Sequence, residues 1–243
     1  MSDRGSIAVA AITRVKGAVS AVQLQSLDRL KGIDSDRLAR FFDDAEGIAL
    51  GPDGIYVSFE SKHRVWRYAT PTSRATALPE HPDFADMQNN SSLEAVAVDA
   101  SGAVYTLPER SGALDRPFPI YRLRGETWDQ PFALRRDGDF LAVGADFGPD
   151  GKLYLLERDL GLFGFASRVR RFTIQDDRIV DEELVLAPPT GSYDNLEGIS
   201  VWADSTGRTR ITMISDNNFR VFQRTEFVDY ALTEPLAPQD TTK

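Results

Sequence analysis

Apolar residues along this chain come in short alternating runs broken by Gly, Pro, Asp and Ser, a period of two that predicts β-strands and tight turns. Four runs repeat one phrase: Glu46 to Glu60 (EGIALGPDGIYVSFE), Glu94 to Glu109 (EAVAVDASGAVYTLPE), Val143 to Glu157 (VGADFGPDGKLYLLE) and Glu197 to Asp216 (EGISVWADSTGRTRITMISD). Each reads as apolar strand, turn, apolar strand, the composition of a β-hairpin. The turn glycines Gly54, Gly102, Gly151 and Gly207 follow one another at intervals of 48, 49 and 56 residues. A third strand-like run trails each hairpin, at His63 to Tyr68, Phe118 to Leu123, Ser167 to Phe172 and Phe219 to Gln223. A fourth follows in several copies, as at Phe132 to Arg136 and Glu182 to Ala187.

Four strands and then a restart predict an all-β chain folded as a β-propeller with four-stranded blades. A two-sheet sandwich has no reason to repeat one hairpin at near-constant spacing, and a β-helix repeats at about half this period or less. The front of the chain differs. Ser2-Asp3-Arg4-Gly5 matches the end of a hairpin, as at Ile214 to Asn217, without the apolar strand that precedes it elsewhere. Five blades are countable on this reading, a sixth is possible, and the first is incomplete at its N-terminus. Residues 1–233 are expected to form one domain and 234–243 a polar, flexible tail.

Pairing Leu50 with Ile55 across the turn Gly51-Pro52-Asp53-Gly54 brings Glu46 opposite Phe59, with Glu60 one step beyond. All such hairpin ends point to one face of a propeller, so two sets of acids are expected there. Asp3, Glu60, Glu109, Glu157 and Asp216 form one, and Glu46, Glu94 and Glu197, on innermost strands, line the channel mouth. Like charges this close destabilise a sheet unless a cation, a basic side chain or water separates them. Further oxygen donors stand nearby at Asp43, Asp44, Asn90, Asp194, Asn195, Asn217 and Asn218, and Ca²⁺ takes about six to eight oxygens. The expected metal holders are Glu46, Glu94, Glu197 and Asp216, with Asp44 and Asn195. Taken singly, each is an ordinary solvated loop residue; recurrence at one structural position is what argues for a functional rim.

Arginine recurs beside these acids, at Arg4, Arg110 and Arg158 directly after one and at Arg64 shortly after Glu60. Such neighbours are either surface ion pairs or planar donors suited to an anionic ester or phosphoester. With Asn217 and Asn218 they are the substrate-binding candidates. Glu60, Glu109, Glu157 and His63 are the candidates for activating water, His63 fitting either a general base or a partly buried rim residue.

Charge and composition narrow the field. A net charge of -9, with 28 basic against 37 acidic residues and no basic run, disfavours nucleic acid. With no Cys and only His63 and His81, thiolate chemistry and a soft-metal cage are excluded, so any metal is a hard one, calcium first. There is no G-x-S-x-G elbow and no phosphate-cradling G-x-x-x-x-G-K-[ST] loop. No apolar stretch reaches membrane-spanning length, and Ile7 to Ile12 is short for a signal core. A monomer without a membrane span is expected.

Five phrases resemble the bacterial phytase-like family, named for esterase-like activity of phytase. They are Ser2-Asp3-Arg4-Gly5; DAEGIALGPDG with SFESKHRVWRY; SSLEAVAV to LPER; LYLLER; and DNLEGISVW followed by ISDNNFRVFQRTEFVDYAL. The resemblance implies a propeller, a periplasmic or secreted location although no signal peptide is readable, and hydrolysis of phosphoesters or other esters. The leading expectation is therefore a calcium-dependent hydrolase of a small anionic ester. A gluconolactonase-like calcium lactonase and a non-catalytic exported propeller that binds a protein or glycan stand as alternatives.

Overall fold

The computed structural model describes residues 1–2, 4–39, 42–87, 93–218, 220–221 and 223–235. The chain opens with a long hairpin, β1 (Ser6–Val15) and β2 (Ala18–Arg29). The first blade follows as β3 (Ala45–Gly51), β4 (Gly54–Phe59), β5 (Arg64–Tyr68) and β6 (Ala75–Ala77), hydrogen-bonded in that order. After a short 3-10 helix at Pro82–Asp86, β7 (Leu93–Val98), β8 (Val104–Pro108), β10 (Tyr121–Arg124) and β11 (Thr127–Asp129) make the second blade. Beside it β9 (Phe118–Pro119) pairs with β12 (Ala133–Leu134). The third blade is β13 (Leu141–Phe147), β14 (Leu153–Gly161), β15 (Gly164–Gln175) and β16 (Arg178–Leu186); the fourth is β17 (Leu196–Ala203), β18 (Arg208–Ser215) and β19 (Phe227–Pro235).

Each blade is an antiparallel meander, and the innermost strands pack in sequence, β3 on β7, β7 on β13 and β13 on β17. The molecule is an all-β propeller of four blades. The expected fifth is corrected: among the described residues the N-terminal segment forms a two-stranded sheet, β1–β2, and no four-stranded blade. Two strand expectations move as well. The last blade takes β19 as its third strand, whereas Arg220, Val221 and Gln223 lie outside any strand and Phe219 and Phe222 lie outside the described residues. Ala133–Leu134 pairs with β9, leaving Thr127–Asp129 as the second blade's outer strand. Strand β19 runs into the expected tail as far as Pro235, and residues 236–243 lie outside the described residues.

Alternation in the strands explains the core. Tyr56, Val65, Val96 and Tyr121 pack between the first and second blades, and Tyr105, Leu107, Phe118, Leu155 and Phe172 between the second and third. Tyr154, Leu156, Val169, Ile211 and Met213 join the third to the fourth. Each such side chain, fully buried, contributes roughly 1.5–3 kcal/mol. The base of the β1–β2 hairpin meets an apolar cluster, Ile7 and Leu30 lying against Val57, Phe59 and Tyr68, and near its tip Arg14 bonds to Asp229 and Thr212 of the fourth blade.

One irregularity recurs in every inner hairpin. Leu50 pairs with Ile55 as the turn demands, but Ala45, not Glu46, lies across from Phe59, because the register slips between Ala45 and Ile48. The same slip falls between Leu93 and Ala95, between Ala142 and Gly144, and between Leu196 and Gly198. Each is a β-bulge, which bends a strand and re-aims the extra residue. The residues inside these four slips are Glu46 with Gly47, Glu94, Val143 and Glu197.

Candidate functional site

Because the bulge repeats at one end of each inner hairpin, it turns Glu46, Glu94 and Glu197 toward one mouth. They are electrostatically coupled there: Glu46 is acted on by Glu94, Asp44 and Glu60, and Glu94 by Glu109, Glu60, Glu197 and Arg158. On the first blade's side, carboxylate oxygens of Asp44, Glu46 and Glu60 all lie within 4.8 Å of one another. The Ser61 hydroxyl donates to Asp44 Oδ2 at 2.7 Å.

The third blade carries Val143 where the others carry an acid, and it sends Arg158 into the mouth instead. Arg158 Nη2 donates to Glu109 Oε1 at 3.2 Å, and Nη1 donates to Asn195 Oδ1 at 2.6 Å and lies 3.4 Å from Glu197 Oε1. Fully buried Asn195 turns its amide nitrogen to Glu197 Oε1 at 2.7 Å, while its backbone carbonyl accepts the N–H of Asp216. Asn195 thus orients neighbours, its side-chain oxygen being taken by Arg158.

The mouth is therefore polarised. Burial first, and then the charges of Glu94, Asp44 and Glu60, push the Glu46 carboxyl far above the usual carboxylate range. Burial also raises Glu94, with Glu109, Glu60 and Glu197 adding to the rise and Arg158 opposing it. Burial lifts Glu197 only to about 7, because Arg158 and the Asn195 amide favour its charged form. On the side of Glu109 and Glu197, Arg158 offsets the acids' charge.

Other expected residues are placed elsewhere. Glu157 is not brought to the mouth. Fully buried, it accepts Arg170 Nε and Nη2, both at 2.6 Å, and Arg168 Nε at 2.8 Å. Arg64 is buried between Phe59 and Trp66, its guanidinium carbon 3.9 and 4.2 Å from the two ring centroids. It donates to the carbonyls of Lys62 and Phe42, and burial lowers its pKa to about 10. Arg64 is a brace for the loop that carries Asp44 and is not turned toward a substrate. His63 Nε2 meets the Met87 carbonyl at 3.1 Å, beneath the rim.

Arg110 stays at the surface, paired with Glu109 at 3.2 Å. Asn217 borders the mouth beside Asp216, and Asn218, in the left-handed region at φ 47°, caps Asp216 through its backbone N–H. Arg4 is exposed, its carbonyl accepting Arg29. Asp194 faces the other way, accepting the N–H of Arg224 and of Asn195. Asp3 and Asn90 lie outside the described residues.

The sequence model of the phytase-like family, described as esterase-like activity of phytase, matches residues 1–219. The chain belongs to this family. No curated protein matches the phytase-like chain. Among solved structures, a Lactobacillus plantarum protein is 14% identical over 90% of this chain, at a TM-score of 0.46. A Dyadobacter fermentans protein of unknown function is 11% identical over 93%, with 71% of its own length covered and a TM-score of 0.47. A PQQ-bound aldose sugar dehydrogenase from Streptomyces coelicolor is 12% identical over 76% of this chain and 93% of its own, with a TM-score of 0.35. The chain spans 62% of the Lactobacillus plantarum protein's length. Among the described residues no helix is long and apolar enough to cross a membrane.

Proposed function

We propose that this phytase-like protein is a cation-dependent hydrolase of esters or phosphoesters, working at the carboxylate mouth of the propeller. The observation that carries the reading is the convergence of Asp44, Glu46 and Glu60 within 4.8 Å, beside Glu94. Carboxylates gathered this closely repel one another and favour a bound cation, and Arg158 stands on the Glu109 and Glu197 side of the mouth. The donor set is oxygen only, which fits a hard divalent cation and calcium in particular. Asp44, Glu46, Glu60 and Glu94 would hold it. Bound there, it would polarise an ester or phosphoryl oxygen and lower the pKa of water.

The chain's own residues divide the remaining work. Arg158 donates into the mouth and suits an anionic oxygen that displaces Glu109 or Glu197 from its guanidinium. Glu197, raised to about 7, is poised to take up a proton near neutral pH. Asn195 fixes both, since its amide bonds to each. Arg64, through the Phe42 carbonyl, holds the Asp44 loop against the blade. An exported location, which the family resemblance supports, and a monomeric state complete the reading.

Chromogenic phosphoesters, carboxyl esters and lactones, each assayed with added Ca²⁺ and after exhaustive chelation, test it. Turnover of at least one ester class that chelation abolishes and Ca²⁺ restores is expected. Equal rates in both conditions, or turnover of lactones alone, would overturn it.

A further inference from the structure

One hairpin of the propeller overshoots the mouth. Glu60, Glu109, Glu157 and Asp216 hold one position in the repeated phrase. Strands β4, β8 and β18 end one residue before it, at Phe59, Pro108 and Ser215. Strand β14 instead runs through it to Gly161, with β15 paired to it from Gly164 onward. The four residues past Glu157 carry the hairpin about 13 Å further, at roughly 3.3 Å per residue. The inner strands of the second and fourth blades flank this blade on its two sides.

The extension is apolar. Leu160 is 68% exposed, and the two turn residues Leu162 and Phe163 are 99% and 88% exposed. Turn chemistry does not ask for them. The two-residue turns Lys16-Gly17 and Asp176-Asp177 are polar and take positive φ at both positions, as tight hairpins prefer. Leu162 and Phe163 stay out of the left-handed region, and Gly164 takes φ 108° beside them. A solvated apolar tip adds nothing to the core and marks a contact surface.

This tip is held in place. Gly191, in the loop between β16 and β17, donates its N–H to the Phe165 carbonyl at 2.8 Å. A Cβ added to Gly191 would stand 3.1 Å from the Phe163 carbonyl oxygen, so loop and hairpin backbones touch.

Its direction follows from the ladder. Opposed residues of an antiparallel pair share a face, as does every second residue along a strand. Arg158 is opposite Ser167 and Leu160 opposite Phe165, with no slip between them. Arg158, Leu160 and Phe165 therefore share one face of the hairpin, the face from which Arg158 reaches Glu109, Asn195 and Glu197. The Arg158 guanidinium carbon lies 5.8 Å from the Phe165 ring centroid. An apolar wall thus begins beside the guanidinium of the mouth and rises away from it.

We propose that this hairpin is the specificity wall of the mouth, and that the substrate is an amphiphilic ester. Its anionic oxygen would meet Arg158, and an alkyl or aryl group next to that oxygen would lie along Phe165 and Leu160 toward Phe163. This substrate class rests on the hydrolysis proposed for the mouth and narrows it.

Calorimetric titration of the intact protein with methylphosphonate and hexylphosphonate, both in Ca²⁺ and neither open to ester hydrolysis, tests the wall apart from turnover. Hexylphosphonate should bind at least about tenfold more tightly, since its five further methylenes leave water. Leu160→Ser and Phe163→Ser, both at exposed positions, should each cut that ratio by at least about threefold. If methylphosphonate binds and the longer chain gains less than this, the wall has no part in substrate binding and the hydrolysis reading stands. If neither phosphonate binds and no ester is turned over, both readings fall. A ratio that survives both substitutions would place the alkyl group elsewhere and overturn the wall. So would sedimentation with phosphatidylcholine vesicles that Phe163→Ser abolishes, without a chain-length gain in solution, since the tip would then meet a lipid surface and not a single substrate.

Discussion

Arg158 of the third blade and Glu109 of the second meet across the mouth at 3.2 Å. The blade that lacks a bulged acid thus supplies the cation that balances its neighbours' acids. Removing one partner of a buried charge pair costs about 3–5 kcal/mol, and the partial exposure of Arg158 places Arg158→Met toward the lower end. Urea unfolding in chelator should show that loss. Added Ca²⁺ should return part of it, because Glu109, Glu197 and Glu94 would then lack the guanidinium. A variant as stable as the parent in chelator would show that Arg158 carries no such balance.

Glu157 is held by two arginines on the adjacent strand, with four N–H to oxygen bonds of 2.6 to 3.3 Å. Glu157→Gln leaves two buried guanidinium groups facing a neutral amide, at a cost of about 3–5 kcal/mol. Activity per folded molecule should not change, since the carboxylate does not reach the mouth. A drop in kcat with unaltered unfolding midpoint would assign Glu157 to the chemistry instead.

Much of this was legible in the chain. The four-fold hairpin phrase gave the propeller, and the position of Glu46, Glu94 and Glu197 in that phrase gave the shared mouth. What the strand alternation hid is instructive. A bulge depends on how a whole blade twists, so simple counting set Glu46 against Phe59 when Ala45 takes that place. The fate of Glu157 was written in SRVRRF: Arg168 and Arg170 alternate onto one face of the strand paired with Glu157. Reading acids strand by strand, without their cross-strand partners, missed it. Arg64 looked like a rim donor because its sandwiching rings, Phe59 and Trp66, lie on two different strands.

Glu46→Gln should reverse its effect with calcium. In chelator the substitution removes a carboxyl that burial and three neighbouring acids hold far above its ordinary pKa. The metal-free protein should therefore melt higher by a few degrees, since about 1 kcal/mol shifts Tm by roughly 2–4 °C at this size. With Ca²⁺ the parent should gain stability by linkage and the variant should gain little. Thermal melts of both proteins in the two conditions read the crossing, and parallel shifts would count against a cation seat at Glu46.

Asp146 lies in the innermost strand of the third blade and ties it to the fourth, accepting the Val201 N–H at 2.7 Å and its neighbour Phe147 N–H at 2.9 Å. Burial is the larger influence and raises its pKa to about 6, against the two N–H groups that lower it. Between its unfolded pKa, near 3.8, and about 6, the folded protein holds a proton that the unfolded chain has released. Stability contributed by Asp146 is therefore fully present below about pH 4 and is lost as pH rises through about 6, by roughly 3 kcal/mol at 1.36 kcal/mol per unit. Asp146→Asn cannot ionise and should lack this decline, at the fixed cost of one weakened N–H bond. Subtracting the variant's unfolding free energy from the parent's, from pH 4 to pH 7 in chelator, isolates the term from the other carboxylates. A flat difference would mean that water reaches Asp146 and the blade junction is not dry.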